Sequence, residues 1–344
     1  MIYFFHLLIL VSLLILERND RPRRKLYRTI IPLLYILIVG LRGTNVGVDS
    51  FTYYEHYYTY GKWGCDFIEP GFDWLNRILY AQGYEANSLF ITMAAITVLF
   101  FYLALNRLDK EYSISAFCVY LLTFAFLVNG MRQGVACAVF LYAYKFIQEK
   151  KPIPYILLIA FAGLFHASAL ILLPLYFVLR YALPSLWYIV LYILSFAGLF
   201  IDLSVYIPEI GFGVRDYSGY VENMKFAQAS WTGFIVSTLL NIGILYLMFS
   251  NQMFKKLPVL SNLVFAAFLF KNLGFSMPIM SRITIYFSWF VFLLYPILLQ
   301  KNQRYLFRSR ELTFGFLITI NGAIWINAIF SPANKLLPYT FFWE

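Results

Sequence analysis

Charge is scarce in this chain. Asp, Glu, Lys and Arg together make up 13% of its 344 residues while 61% are hydrophobic, against about 25% charged in soluble proteins. So little polar surface excludes a water-soluble globular fold, and the mean hydropathy of +0.71 agrees with lipid-facing helices that need no polar shell. Cysteine is nearly absent: Cys65, Cys118 and Cys137 form neither an even framework nor a paired metal-ligand spacing, which excludes a disulfide scaffold and a zinc site. Histidine occurs three times, with no second histidine and carboxylate at metal spacing, so no bound metal and no cofactor are expected. Walker-type and Rossmann glycine patterns are missing, and the loops are too short for a nucleotide-binding fold. That disfavours an ATP-driven transporter and a donor drawn from a nucleotide-sugar domain. No internal repeat or low-complexity tract occurs either. The net charge of +10 does not imply nucleic acid, because in a membrane chain the distribution of cations among loops matters more than their sum.

What the sequence has in abundance is apolar runs. They fall near 2–16, 29–41, 88–105, 113–129, 132–147, 154–180, 185–202, 231–250, 257–273, 283–299 and 312–330. The first run resembles a signal-peptide core, but no basic residue precedes it and a charged cluster from Glu17 to Lys25 follows, which favours an uncleaved span with an outer N-terminus. The run from Pro154 to Arg180 is too long for one span, too short for two, and interrupted at Gly163-Leu164-Phe165-His166-Ala167-Ser168. Charge decides its reading. As a hairpin turning at His166, it leaves 18 of the 27 Lys and Arg in inner loops, whereas as a single span it would move Lys255, Lys256, Lys301, Arg304, Arg308 and Arg310 outside. The expected fold is therefore all-α: a single polytopic transmembrane bundle over 1–344 with about twelve membrane segments, a hairpin around His166, and two larger outer loops, 42–87 and 203–230.

Asn129-Gly130-Met131-Arg132-Gln133-Gly134 sets an arginine and two amides between two of these runs. An arginine at mid-bilayer costs roughly 2.5 to 3.5 kcal/mol on insertion scales, so such a residue faces a polar cavity or a partner, or else snorkels from a helix end. Arg42, Arg282 and His166 fall on the same side as Arg132 and, like it, sit near glycine, proline or a chain break. Together they suggest a cationic pocket for an anionic ligand such as phosphate, since arginine's planar fork matches phosphate oxygens. The first outer loop carries Tyr53, Tyr54 and Tyr57 among Asp49, Glu55, Asp66, Glu69 and Asp73. Aromatic rings and carboxylates together suit sugar, and tyrosines at an interface equally suit an aromatic belt.

In order along the chain, Arg42-Gly43, Val46-Gly47-Val48-Asp49, Glu69-Pro70-Gly71-Phe72, Met131-Arg132-Gln133 with Ala136, Phe165-His166-Ala167-Ser168-Ala169, Arg282-Ile283 with Tyr286-Phe287, and Leu337-Pro338-Tyr339 form a set that resembles the EpsG-like, or Wzy-like, polymerases of bacterial exopolysaccharide and O-antigen. The resemblance implies a multi-pass glycosyltransferase of the bacterial inner (cytoplasmic) membrane, facing the periplasm or exterior. Such an enzyme joins oligosaccharide repeat units carried on polyprenyl diphosphate, by inverting and metal-independent transfer. Its partners would be the lipid-linked oligosaccharide as donor and acceptor, membrane lipid, a chain-length regulator and a flippase. On this reading Arg42, Arg132, Gln133 and Arg282 bind the diphosphate. Asp49 is the acceptor base with Glu69 as its alternate, His166 orients on the phosphate side, and Tyr53, Tyr54, Tyr57 and Tyr339 meet sugar. An O-antigen ligase, a lipid-linked oligosaccharide flippase and a membrane acyltransferase are the competing functions.

Overall fold

The computed structural model describes residues 2–108, 112–200, 231–275, 278–301 and 303–344, so the expected outer loop 203–230 lies outside the described residues. Helices α1 (Ile2–Asn19), α2 (Arg24–Gly40), α5 (Asn87–Leu105), α6 (Tyr112–Asn129), α7 (Met131–Gln148) and α8 (Pro152–Gly163) follow apolar runs, while α3 (Ser50–Trp63) and α4 (Pro70–Ala81) lie between them. Later helices include Ser185–Ser195, Trp231–Ser250, Pro258–Leu273, Pro278–Ser288, Val291–Leu298 and Arg310–Phe330. Among the described residues five helices are long and apolar enough to cross a bilayer, which establishes a helical membrane protein but not the expected count of about twelve segments. The shortfall has a local cause. Five further apolar helices have only 10–17 residues, α8 and the 167–178 segment among them in the run read as a hairpin.

The chain packs as two compact units, one of residues 1–143, 156–170 and 315–344, the other of residues 144–155 and 171–314. In the first, α2 packs against α1, α5 and α6. Its far end is tied by a buried ionic network: Glu17, 2% exposed, accepts from Arg28 Nε at 2.8 Å and from Ser113 Oγ at 2.5 Å. The Arg28 guanidinium also lies 4.4 Å over the Tyr112 ring. Each charge there has a partner, as burial in low dielectric requires. In the second unit the helix Pro258–Leu273 is central. Asn262 accepts from the Tyr188 hydroxyl at 2.7 Å and donates to the Leu179 and Tyr181 carbonyls, both at 2.9 Å, and Asn272 Nδ2 donates to Ser195 Oγ at 2.9 Å.

The segment 42–87, expected as a loop, folds as the helical hairpin α3–α4. Gly61 lets the two helices approach, since a Cβ there would sit 2.5 Å from Tyr80 Cβ. The base of this hairpin is fixed by Arg42. Its guanidinium is 1% exposed and donates to the carbonyls of Val39 and Val128, the latter at 2.9 Å, and to Ser50 Oγ at 3.1 Å, with the Phe90 ring 4.5 Å away. Val39 and Val128 lie in the last turns of α2 and α6, whose free carbonyls and dipoles favour a cation. The C-terminal segment closes over this junction: Gly43 N–H donates to Thr340 O at 2.8 Å, Phe342 N–H to Leu41 O at 3.1 Å, and Gly47 N–H to Lys335 O at 2.7 Å. Replacing Arg42 with Ala removes the donor from two buried carbonyls, Val39 O and Val128 O, while Ser50 Oγ keeps its bond to Val46 O. At about 1 to 3 kcal/mol for each unsatisfied group, the Arg42→Ala protein is expected to accumulate poorly and melt at lower temperature in detergent, a loss that activity measurements normalised to protein level would separate from catalysis.

Candidate functional site

Three segments of the first unit meet at Glu69: the start of α4 that carries it, the start of α7 and the chain reversal after α8. The residue precedes α4, with extended backbone at φ −65°, ψ 138°, and Pro70 opens the helix with a φ already suited to it. Rather than capping its own helix, the Glu69 side chain reaches outward. Its Oε2 accepts from Arg132 NH1, at the start of α7. Its Oε1 accepts from Ala167 N–H at 3.3 Å and lies 3.4 Å from His166 Nδ1, an ion-pair distance longer than a well-formed hydrogen bond. His166 and Ala167 belong to a chain reversal. α8 ends at Gly163, His166 N–H still donates to Ala162 O at 3.0 Å, and a 3-10 helix from Ala167 to Leu172 then leads away.

A close approach puts the carboxylate there. Gly71 N–H donates to Leu164 O at 2.9 Å, and a Cβ on Gly71 would lie 2.8 Å from both that oxygen and Leu164 Cβ. No larger residue fits without moving α4 off the turn. On the other side, Asn129 Oδ1 accepts from Val48 N–H at 2.6 Å, holding the α2–α3 connection against the start of α7; Gly47, at φ +99°, supplies the left-handed conformation this connection needs.

The α3 helix forms a wall. Asp49, Tyr53 and His56 recur at helical spacing, so they share one face. The Tyr53 hydroxyl is within hydrogen-bond reach of the Arg132 guanidinium, and the Tyr53 ring meets Phe72 at 5.9 Å. Phe72 in turn lies 5.4 Å from Arg132 Cζ. Arg132 Nε is buried and makes no hydrogen bond, which leaves the guanidinium a donor for an added acceptor. His56, not singled out by sequence, stacks on Tyr60 at 4.7 Å and feels the charge of Arg132. Burial first, and Arg132 with it, hold its pKa below the usual histidine value against an opposing pull from Glu55. Its signal was available in the i, i+4, i+7 spacing from Asp49, but that spacing carries meaning only once 50–63 is known to be a helix.

The remaining expected residues are dispersed. Asp49 is half-buried just before α3 and Gln133 is buried beside Arg132. Arg42 is expected among the diphosphate ligands, yet its guanidinium is enclosed by the helix-end carbonyls described above. Tyr57 is fully buried with its hydroxyl on the Tyr84 carbonyl at 2.7 Å, and Tyr339 donates to Ile38 O at 3.1 Å, so both hydroxyls serve packing. Tyr54 is exposed and its ring meets Tyr58 at 5.3 Å. Arg282 belongs to the second unit, on the helix Pro278–Ser288, and is half-buried there.

Burial alone would raise the Glu69 pKa, but His166 and Arg132 outweigh it and hold the carboxyl at about 2. The folded state thus binds this proton more weakly than the unfolded chain. The stability it contributes is complete above the ordinary value of 4.5 and is lost as pH falls from there toward about 2. Detergent melts between pH 3 and 7 are expected to show this acid loss in the native protein and a smaller one in Glu69→Gln. A second expectation follows from the close approach at Leu164. Gly71→Ala displaces Glu69 from His166, so it lowers activity more than membrane abundance, and equal activity per molecule would show that the docking is not needed.

The sequence matches the EpsG family over residues 25–341. No curated protein and no solved structure matches it. The matched range takes in all three segments that meet at Glu69, together with the C-terminal closure through Phe341. With nearly the whole chain covered, this membrane protein belongs to the EpsG family, a family of polysaccharide-polymerase type.

Proposed function

We propose that the protein joins oligosaccharide repeat units carried on polyprenyl diphosphate, at the outer face of the bacterial cytoplasmic membrane, and that Glu69, Arg132 and His166 form the centre of the site. The observation that carries this is the Arg132 guanidinium, which couples a buried unused donor to a carboxylate partner in a cluster walled by tyrosine. A diphosphate offers better acceptors than a single carboxylate, and arginine's fork can take two of its oxygens. Binding would then shift Arg132 from Glu69 to the ligand. With less positive charge beside it, and still buried, the Glu69 carboxylate becomes more basic.

The reaction on this reading is a single displacement. The acceptor hydroxyl oxygen bonds to the anomeric carbon, its proton passes to Glu69, and the bond from that carbon to the diphosphate oxygen breaks with its electron pair on the leaving group. Arg132 stabilises the charge that develops there. His166, beside Oε1, orients Glu69. The exposed Tyr54 and half-buried Tyr53 are offered as the sugar-facing aromatics. Asp49, on the Tyr53 face of α3, is the second carboxylate for the base role.

Purified protein in vesicles, supplied with lipid-linked repeat units, tests this directly. Removal of a general base costs about 10² to 10⁴ in rate, so Glu69→Gln is expected to retain lipid-linked substrate and make little polymer. Turnover near normal in Glu69→Gln, with Asp49→Asn inactive, would move the base to Asp49. Arg132→Lys is expected to lose polymer nearly as fully as Arg132→Ala, because lysine keeps the charge but not the fork. Full activity of both Arg132 variants would overturn the assignment. In cells, single-unit glycan without long chains is the expected product of a loss-of-function variant, whereas loss of all surface glycan would favour a ligase or flippase.

A further inference from the structure

The α3–α4 hairpin ends in an exposed aromatic cluster that the site does not use. Trp63 is 74% exposed, Phe67 74% and Trp74 63%, and all three lie within six residues of Glu69 along the chain. Two cations accompany them: Lys62 Nζ lies 4.8 Å over the Trp63 ring, and Arg77, 3.8 Å from Asp73, keeps 62% of its side chain exposed. A patch of this kind on a soluble domain would be left in water. Here its position says otherwise.

The same end of the hairpin is docked through Gly71 onto Leu164, at the turn that follows α8. α8 has 12 residues. At a rise of about 1.5 Å per residue it advances about 18 Å, short of the roughly 30 Å hydrocarbon core. A turn reached by so short a helix lies within the thickness of the membrane whichever side the helix enters from. On this reading the hairpin end attached to that turn is held at bilayer depth, where its exposed rings would meet lipid. Trp and Tyr concentrate where hydrocarbon gives way to headgroups, and Lys and Arg beside them reach lipid phosphate. Asp66, exposed in the same turn, fits the headgroup level and not the acyl interior.

We infer that the 63–74 end of the α3–α4 hairpin is a membrane-seated anchor, with Trp63, Phe67 and Trp74 in the interfacial layer of the leaflet and Lys62 and Arg77 on lipid phosphates. The anchor would set the height of Glu69 relative to the lipid surface. The inference rests on the membrane-spanning reading of the chain and not on its polymerase chemistry, so turnover of the Glu69 and Arg132 variants bears on a separate question.

The protein supplies its own reporter. Cys65 lies in the proposed anchor and is half-exposed, while Cys118 and Cys137 are buried at 1% exposure each, so a thiol-reactive fluorophore reads out from Cys65. The control is Gln82→Cys in a Cys65→Ser background, because Gln82 is exposed past the opposite end of α4. Both proteins are placed in phosphatidylethanolamine–phosphatidylglycerol vesicles containing lipid with a nitroxide high on the acyl chain. The expected result is at least twofold stronger quenching by nitroxide lipid at Cys65 than at the control label, with weaker quenching by aqueous iodide. Trp63→Ser with Phe67→Ser is expected to reduce that difference while leaving the chain folded, since both side chains are exposed. Nitroxide quenching at Cys65 no greater than at the control overturns the inference. If, in addition, soluble oligosaccharide shields the Cys65 label in detergent, the aromatic cluster is a glycan platform instead.

Discussion

The carboxylate of Glu69 is the constraint on which the site depends. It is 8% exposed, and a lone carboxylate so placed would shed its charge instead of keeping it. It stays ionised because an arginine 63 positions away in sequence and a backbone N–H 98 positions away both donate to it, with His166 beside them. These partners come from α7 and from the reversal after α8, so one side chain ties the α3–α4 hairpin to two other segments of the first unit. The requirement runs back to Gly71, whose missing Cβ allows α4 to dock where Glu69 can reach.

Arg42 and Arg132 show how the same side chain is put to different use by its neighbours. Around Arg42 the ends of α2 and α6 and the Ser50 hydroxyl supply acceptors to all three nitrogens, and the charge is enclosed. That arrangement holds helices together and gives each nitrogen an acceptor within the protein. Around Arg132 one carboxylate and one tyrosine supply acceptors, and Nε has none. An incomplete set of partners is what a binding arginine requires, since an incoming anion can complete it. Glu17 and Arg28, at the other end of the first unit, resemble Arg42 in this respect: their acceptors and donors are matched internally, and the network closes without a ligand.

The α3–α4 hairpin links these observations to the membrane. Its inner face carries Tyr53 and His56 toward Arg132, and its docked end carries both Glu69, at the α4 start, and the exposed aromatics and cations. If both proposals hold, one short element presents chemistry on one side and an interfacial surface on the other. The C-terminal segment, paired to Leu41, Gly43 and Gly47, fixes the root of that hairpin.

Hydropathy is a local property, and what it governs was legible in the sequence: the helices follow the apolar runs to within a few residues, and the break at His166 is where the chain reverses. Charge in an apolar run likewise marked Arg132 as a residue that needs a partner, whereas Glu69 was offered only as the alternate to Asp49 for the base, on the family resemblance. The choice of partner is not local. That Arg132 meets Glu69, that Arg42 is enclosed, that Tyr57 and Tyr339 point their hydroxyls at backbone, and that 42–87 forms two helices instead of a loop all depend on segments far apart in sequence coming together. The count of about twelve membrane segments went beyond the full-length helices for the same reason. Length and composition fix how apolar a stretch is, while packing of the short helices against their neighbours decides whether it crosses or turns back.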